Sequence, residues 1–113
     1  MIFSEFVIRN NKIHSFSVKG HSDLAEAPHD VLCASVSAMT LLTINTVREV
    51  FQAEVSLNIL EEIPLISMEL LFVSPEKEEA VCGVLQGLLL QLKDLKEQYP
   101  SYLTVKINKE KKG

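Results

Sequence analysis

The sequence predicts an α+β fold with the element order ββαββαβ, a largely antiparallel sheet and two helices packed on one of its faces. Three observations carry this. Five short stretches have strand character, most of them alternating apolar and polar residues with a period of two, and two long stretches are helical in pattern. The order contains no dominant βαβ repeat, which argues against a doubly wound parallel sheet. The 113 residues, 47% hydrophobic and 23% charged, suit a single domain spanning 1–113.

Residues 2–9, Ile-Phe-Ser-Glu-Phe-Val-Ile-Arg, read as the first strand, and Asn10-Asn11 is a turn signal. The second strand, 13–19, sets His14, Phe16 and Val18 against Ser15, Ser17 and Lys19, so His14 is expected on the apolar face as a structural residue. Gly20 to Pro28 shows neither period and reads as a loop. Asp30 is a good N-cap, and a mostly apolar helix is expected from there to about Phe51, with His29 just outside it. Val55, Leu57 and Ile59 alternate with polar residues in a third strand; Ile66, Met68, Leu70 and Phe72 share a face of the fourth. Ser74 is expected to cap a second helix with Pro75 at its first position. In that helix Val81, Leu85, Leu88, Leu92 and Leu95 form an apolar stripe read as core, and Cys82 beside it is read as packing. Leu103, Val105 and Ile107 alternate in a last strand.

Net charge is −4, and Lys106, Lys109, Lys111 and Lys112 hold much of the positive charge near the end of the chain. That end reads as a frayed, solvated tail. An acidic body is a poor match for a phosphate backbone, so no direct nucleic-acid partner is expected. No basic stretch precedes an apolar run at the N-terminus, and the apolar runs look too short for a membrane span. Two cysteines are too few for a disulfide scaffold. A cytoplasmic protein with no membrane partner is the expectation.

With glycines only at 20, 83, 87 and 113, neither a dinucleotide fingerprint nor a P-loop can be written. One polar cluster remains, Gly20 to Cys33, which holds His21, His29, Asp23, Asp30 and Cys33. With Asp30 as cap, Cys33 would be the third helical position, beside unpaired N–H groups at the positive end of the helix dipole. Such a setting favours thiolate, the nucleophilic form. His21, at a strand end, is placed to take the thiol proton and return it to a leaving amine. Asp30 has two roles open to it, capping the helix or orienting His21. Two other readings compete: Cys33 as a small core residue, and a zinc site built from His21, His29 and Cys33.

Gly20-His21, followed twelve residues after the histidine by Cys33 within Asp30-Val31-Leu32-Cys33-Ala34-Ser35-Val36-Ser37-Ala38, resembles the ribosomal-processing cysteine protease family Prp. The resemblance extends over the whole chain. It implies a cysteine endopeptidase that removes the N-terminal extension of a bacterial large-subunit ribosomal protein, without a cofactor or metal, and works as a homodimer. It places the nucleophile on Cys33, the base on His21 and an assisting carboxylate on Asp30. Ser22, Asp23 and Leu24 in the loop, with Ser37 one turn after Cys33, are the expected substrate-binding residues. Asp23, Leu24 and Pro28 depart from the family loop, which carries glycines and an aromatic there. A non-catalytic ribosome-associated binding module and the zinc protein are the alternatives.

Overall fold

The computed structural model describes residues 1–20, 29–60 and 65–110, without the side chains of His29 and Asp30. The strands are β1 (Ile2–Arg9), β2 (Lys12–Lys19), β3 (Glu54–Leu60), β4 (Leu65–Phe72) and β5 (Leu103–Lys109); the helices are α1 (His29–Asn45) and α2 (Glu78–Gln98). The sheet order is β3-β4-β2-β1-β5. Every neighbouring pair is antiparallel except β1 and β5, which are parallel.

Asn10 and Asn11, with φ of 55° and 64°, close the β1–β2 hairpin. Two consecutive left-handed residues match the twist of the flanking strands, and asparagine tolerates that conformation better than most residues. Phe6 and Phe16 face each other across this hairpin and stack with ring centroids 5.7 Å apart. Met68 on β4 continues the row. Above them lie Leu32, Val36, Ile44 and Val47 from the α1 side and Val81, Leu85, Leu88 and Leu92 from α2, all in one core. The stripe on α2 is therefore core packing, as its spacing predicts. The opposite sheet face is polar, with Asn108 donating to Glu5 at 2.8 Å and Lys106 at 3.7 Å from the same carboxylate.

His14 departs from the expected alternation. Ile8 pairs with Ile13 and Val7 with Ser15, so His14 is the extra residue of a β-bulge. The bulge hands the buried position to Ile13, which is 2% exposed, and His14 bonds Glu69 of β4 at 2.8 Å instead. Ser74 makes no side-chain cap. Its carbonyl accepts the Lys77 N–H at 2.8 Å, in a short 3₁₀ turn led by Pro75, and α2 begins only at Glu78. Lys106 and Lys109 belong to β5 rather than to a frayed tail, and the Glu110 N–H donates to the Ile8 carbonyl at 2.8 Å.

Thr40 and Thr43 of α1, and Thr46 directly after it, have hydroxyls that donate to the carbonyls of Val36, Met39 and Leu42 at 2.7, 2.8 and 2.7 Å. This back-bonding lets hydroxyls sit in an apolar interior and tends to bend a helix. The helix then widens into a π turn over Thr46–Val50, with the Phe51 N–H reaching the Thr46 carbonyl at 3.1 Å. Val31–Val50 is long and apolar enough to cross a membrane, contrary to the expectation from run length. About a third of that stretch is buried, where Leu32, Val36, Ile44 and Val47 pack into the protein's own core.

Candidate active site

β2 ends at Lys19, whose neighbours across the sheet are Phe3 and Leu65; Leu60 pairs with Leu65 at the same end. Gly20 follows with φ of +98°, a conformation that L side chains rarely adopt. A Cβ there would run into the Met1 carbonyl oxygen. The chain can therefore pass this point only as glycine. Met1 is itself held in place, because the Ile2 N–H donates to the Tyr102 carbonyl at 2.8 Å.

α1 begins at His29 and, with its π turn, ends at Val50, shortly before Glu54, which pairs with Phe72 at the other end of the sheet. The N-terminus of α1 thus returns to the end where β2 finishes. Cys33 is the fifth residue of α1, not the third, and His29 is inside the helix rather than outside it. Only the first turn of a helix has unpaired N–H groups, so the Cys33 N–H lies one turn in. A helical side chain leans toward the N-terminus, so the thiol still overhangs that first turn. Cys33 is half-buried and packs against the core between Leu32 and Val36. Ser37, one turn further on, is exposed.

His21, Ser22, Asp23 and Leu24, together with the Asp30 side chain, lie outside the described residues. Asp30 itself falls in the first turn of α1, one place beyond the helix start, rather than at the cap. Among the described residues no three His, Cys, Asp or Glu side chains gather at one point.

Cys82 is placed very differently. It is half-buried on α2 and lines a cavity of about 410 Å³ with Lys12, His14, Phe72, Glu78 and Val81. This cavity lies at the hairpin-turn end of the sheet. β2 separates the two ends by about 26 Å, at roughly 3.3 Å per residue. Among the described residues, two ion pairs lie at the same end as the cavity. Lys12 donates to Glu78 at 3.1 Å, and that bond raises its pKa. Arg9 donates to Glu110 at 2.7 Å, which raises the Arg9 pKa and lowers that of Glu110.

The glycine was visible in the sequence, but its steric necessity was not. That necessity arises from Met1, which the β1–β2 pairing, with Phe3 opposite Lys19, brings beside it.

The family model described as cysteine protease Prp matches residues 1–104. Among solved structures, the crystal structure of SMU.848 from Streptococcus mutans superposes with a TM-score of 0.87 at 25% identity, covering 97% of this chain and 96% of that one. The essential ribosomal processing protease Prp from S. aureus, in complex with a substrate peptide, gives 0.82 at 18% identity, covering 96% and 100%. The same protease with a covalently linked product peptide gives 0.82 at 19% identity, covering 96% and 100%. No curated protein matches the chain.

Proposed function

The chain belongs to the cysteine protease Prp family and is a cysteine protease, and from that premise we propose that Cys33 is its nucleophile, His21 its general base and Asp30 an assisting residue. We further propose that the substrate is a bacterial large-subunit ribosomal protein, from which the enzyme removes an N-terminal extension. The observation that carries this is the return of α1 to the end of β2. It brings the Cys33 turn to the strand end from which Gly20 leads directly into His21. The ribosomal processing protease Prp from S. aureus shares the fold over nearly all of both chains.

In this mechanism His21 removes the thiol proton and the Cys33 sulfur attacks the scissile carbonyl carbon. The oxyanion is met by N–H groups of the first turn of α1. Collapse of the tetrahedral intermediate breaks the C–N bond, and His21 gives its proton to the leaving amine. Water, deprotonated by His21, then hydrolyses the thioester and restores the thiol. Asp30 orients His21 through its carboxylate. Ser22, Asp23 and Leu24 contact the peptide from the loop, and Ser37 from the helix face next to Cys33.

The whole chain, 1–113, serves as one protease domain, acts in the cytoplasm and uses no cofactor. It engages neither nucleic acid nor membrane directly. The solvent side of α1 carries Val31, Ala34, Ala38, Leu41 and Leu42, with Val31 59% and Leu42 67% exposed and no charge among them. An uncharged helical face of this kind supports a homodimer.

Incubation with the unprocessed ribosomal protein, read by intact mass, tests the reaction. A single shortened product is expected from the wild type and none from Cys33→Ala or His21→Ala. Asp30→Asn is expected to retain partial activity. Cleavage by folded Cys33→Ala at the wild-type rate overturns the assignment. Sedimentation equilibrium tests the dimer, which Leu42→Glu is expected to split.

A further inference from the structure

The sheet has two edges, and they are built differently. β5, at one edge, carries Lys106 and Lys109. Lysines on an edge strand discourage pairing with another chain. β3, at the other edge, reads Glu-Val-Ser-Leu-Asn-Ile-Leu; its only charge is Glu54, at the end far from Cys33. Among the described residues, the stretch from Val55 to Leu60 has no charge, no proline and no interruption of its register, whose one irregularity lies between Glu54 and Val55. Such an edge presents a row of backbone N–H and C=O groups ready to pair.

The position of this open edge matters. Val55, Leu57 and Ile66 pack against the same core as Cys33, which identifies the helix-covered face. Ile59 is two residues on from Leu57 and opposite Ile66, so it shares that face, yet it is 48% exposed; Leu60 beside it is 44% exposed. Leu60 pairs with Leu65, which pairs with Lys19 immediately before Gly20. The unguarded half of β3 therefore runs toward the end of the sheet where α1 starts, with its uncovered apolar side chain on the side of Cys33.

We propose that β3 is the docking strand for the substrate: the extended segment flanking the scissile bond adds to the sheet alongside Val55–Leu60, with Ile59 as its apolar contact. This rests on the protease reading above and deepens it. A peptide must be extended to offer its scissile carbonyl, and an extended chain beside an edge strand satisfies its own backbone groups. Main-chain bonds fix the register, and alternate side chains of the peptide turn toward the helix layer that carries Cys33. A second copy of this chain is the rival occupant of the edge.

Amide exchange of full-length Cys33→Ala, with and without a synthetic peptide spanning the ribosomal protein's extension and junction, reads the docking strand directly. Alternate amides of Val55–Leu60 are expected to slow by about tenfold or more with peptide, and those of β5 to stay unchanged. In the active enzyme, Ile59→Lys is expected to raise KM by about tenfold with kcat kept, while Ile107→Lys on the other edge leaves both unchanged. N-methylation of the peptide backbone, position by position against wild-type enzyme, is expected to raise KM at every second residue; this arm needs no variant to fold. Normal cleavage with β3 unprotected and no period-two pattern overturns the docking strand and leaves the protease reading standing. A peptide that is neither bound nor cut overturns both. Protection of β3 without peptide, growing with protein concentration, overturns the proposal in favour of edge pairing between two copies.

Discussion

The carbonyl oxygen of Met1 occupies the space where Gly20 would carry a Cβ. The first residue of the chain thereby dictates the residue that precedes His21. Gly20 also sits at φ +98°, so an alanine there meets both backbone strain and a collision with main chain.

Gly20→Ala is expected to cost about 2 kcal/mol or more of stability, since neither the φ nor the carbonyl can relax freely. Cleavage should fall further than stability, because the route from β2 into His21 is displaced. Thermal melts and turnover of the same sample check this. An unchanged melting temperature would sink the steric account.

Cys33→Ala is expected to lose cleavage and to cost no more than about 1 kcal/mol, because alanine suits a helix and the cysteine is only half-buried. Iodoacetamide labelling at pH 6–7 separates the two thiols in the native enzyme. Cys33 should be modified much faster than Cys82, and mass mapping of the labelled peptides reads the ratio. Equal slow rates would count against an activated Cys33.

Thr40 is fully buried, and its hydroxyl bonds the Val36 carbonyl within the same helix. That carbonyl already has its helical N–H partner. Thr40→Val keeps the shape and removes donor and hydroxyl together, so stability should stay within about 1 kcal/mol of wild type. Thr40→Ala removes a methyl group as well and should lose about 1–2 kcal/mol. Chemical denaturation of the pair distinguishes packing from hydrogen bonding at this site.

Glu110 is held below its ordinary carboxylate pKa mainly by its hydrogen bond from Arg9. A carboxyl depressed in the folded state stabilises it above the unfolded value, and the contribution disappears as pH falls through the folded value. Both side chains are exposed, so the effect is local. Acidification below pH 4.5 should lower the protection factor of the Glu110 amide, which donates to Ile8, relative to its intrinsic exchange rate at the same pH. Glu110→Gln should remove that pH dependence, and a variant that keeps it would show that the ion pair is not its source.

The elements were legible because alternation and the 4-3-4-3 spacing of Val81 through Leu95 are direct consequences of burial on one face. The bulge at His14 was not. An extra residue leaves the composition of a strand unchanged and shows itself only in the partner's register. The parallel pairing of β1 with β5 was equally hidden, since no local pattern says which strands meet. At the site, the motif singled out Cys33 but set it two positions too early. The Pro28-His29-Asp30 segment offered a good cap residue, whereas the helix starts at His29. The Ser74 cap failed for a related reason: Pro75 initiates a 3₁₀ turn before α2 forms, and its bonds use the Ser74 backbone.

The pairing of β1 with β5 also sets the order of events in folding. The Ser4 hydroxyl donates to the Thr104 carbonyl at 2.8 Å, across 100 positions of sequence. Contacts this remote close late and slowly. During synthesis the β1–β2 hairpin is available early, while the outer edge of β1 stays unmatched until β5 has emerged. In that interval the nascent chain exposes a long row of unpaired backbone beside Phe3 and Phe6, the kind of species on which chaperones act. A polypeptide that stops short of Leu103 would remain in that condition, an open-edged sheet inclined to pair with its neighbours rather than a smaller working enzyme.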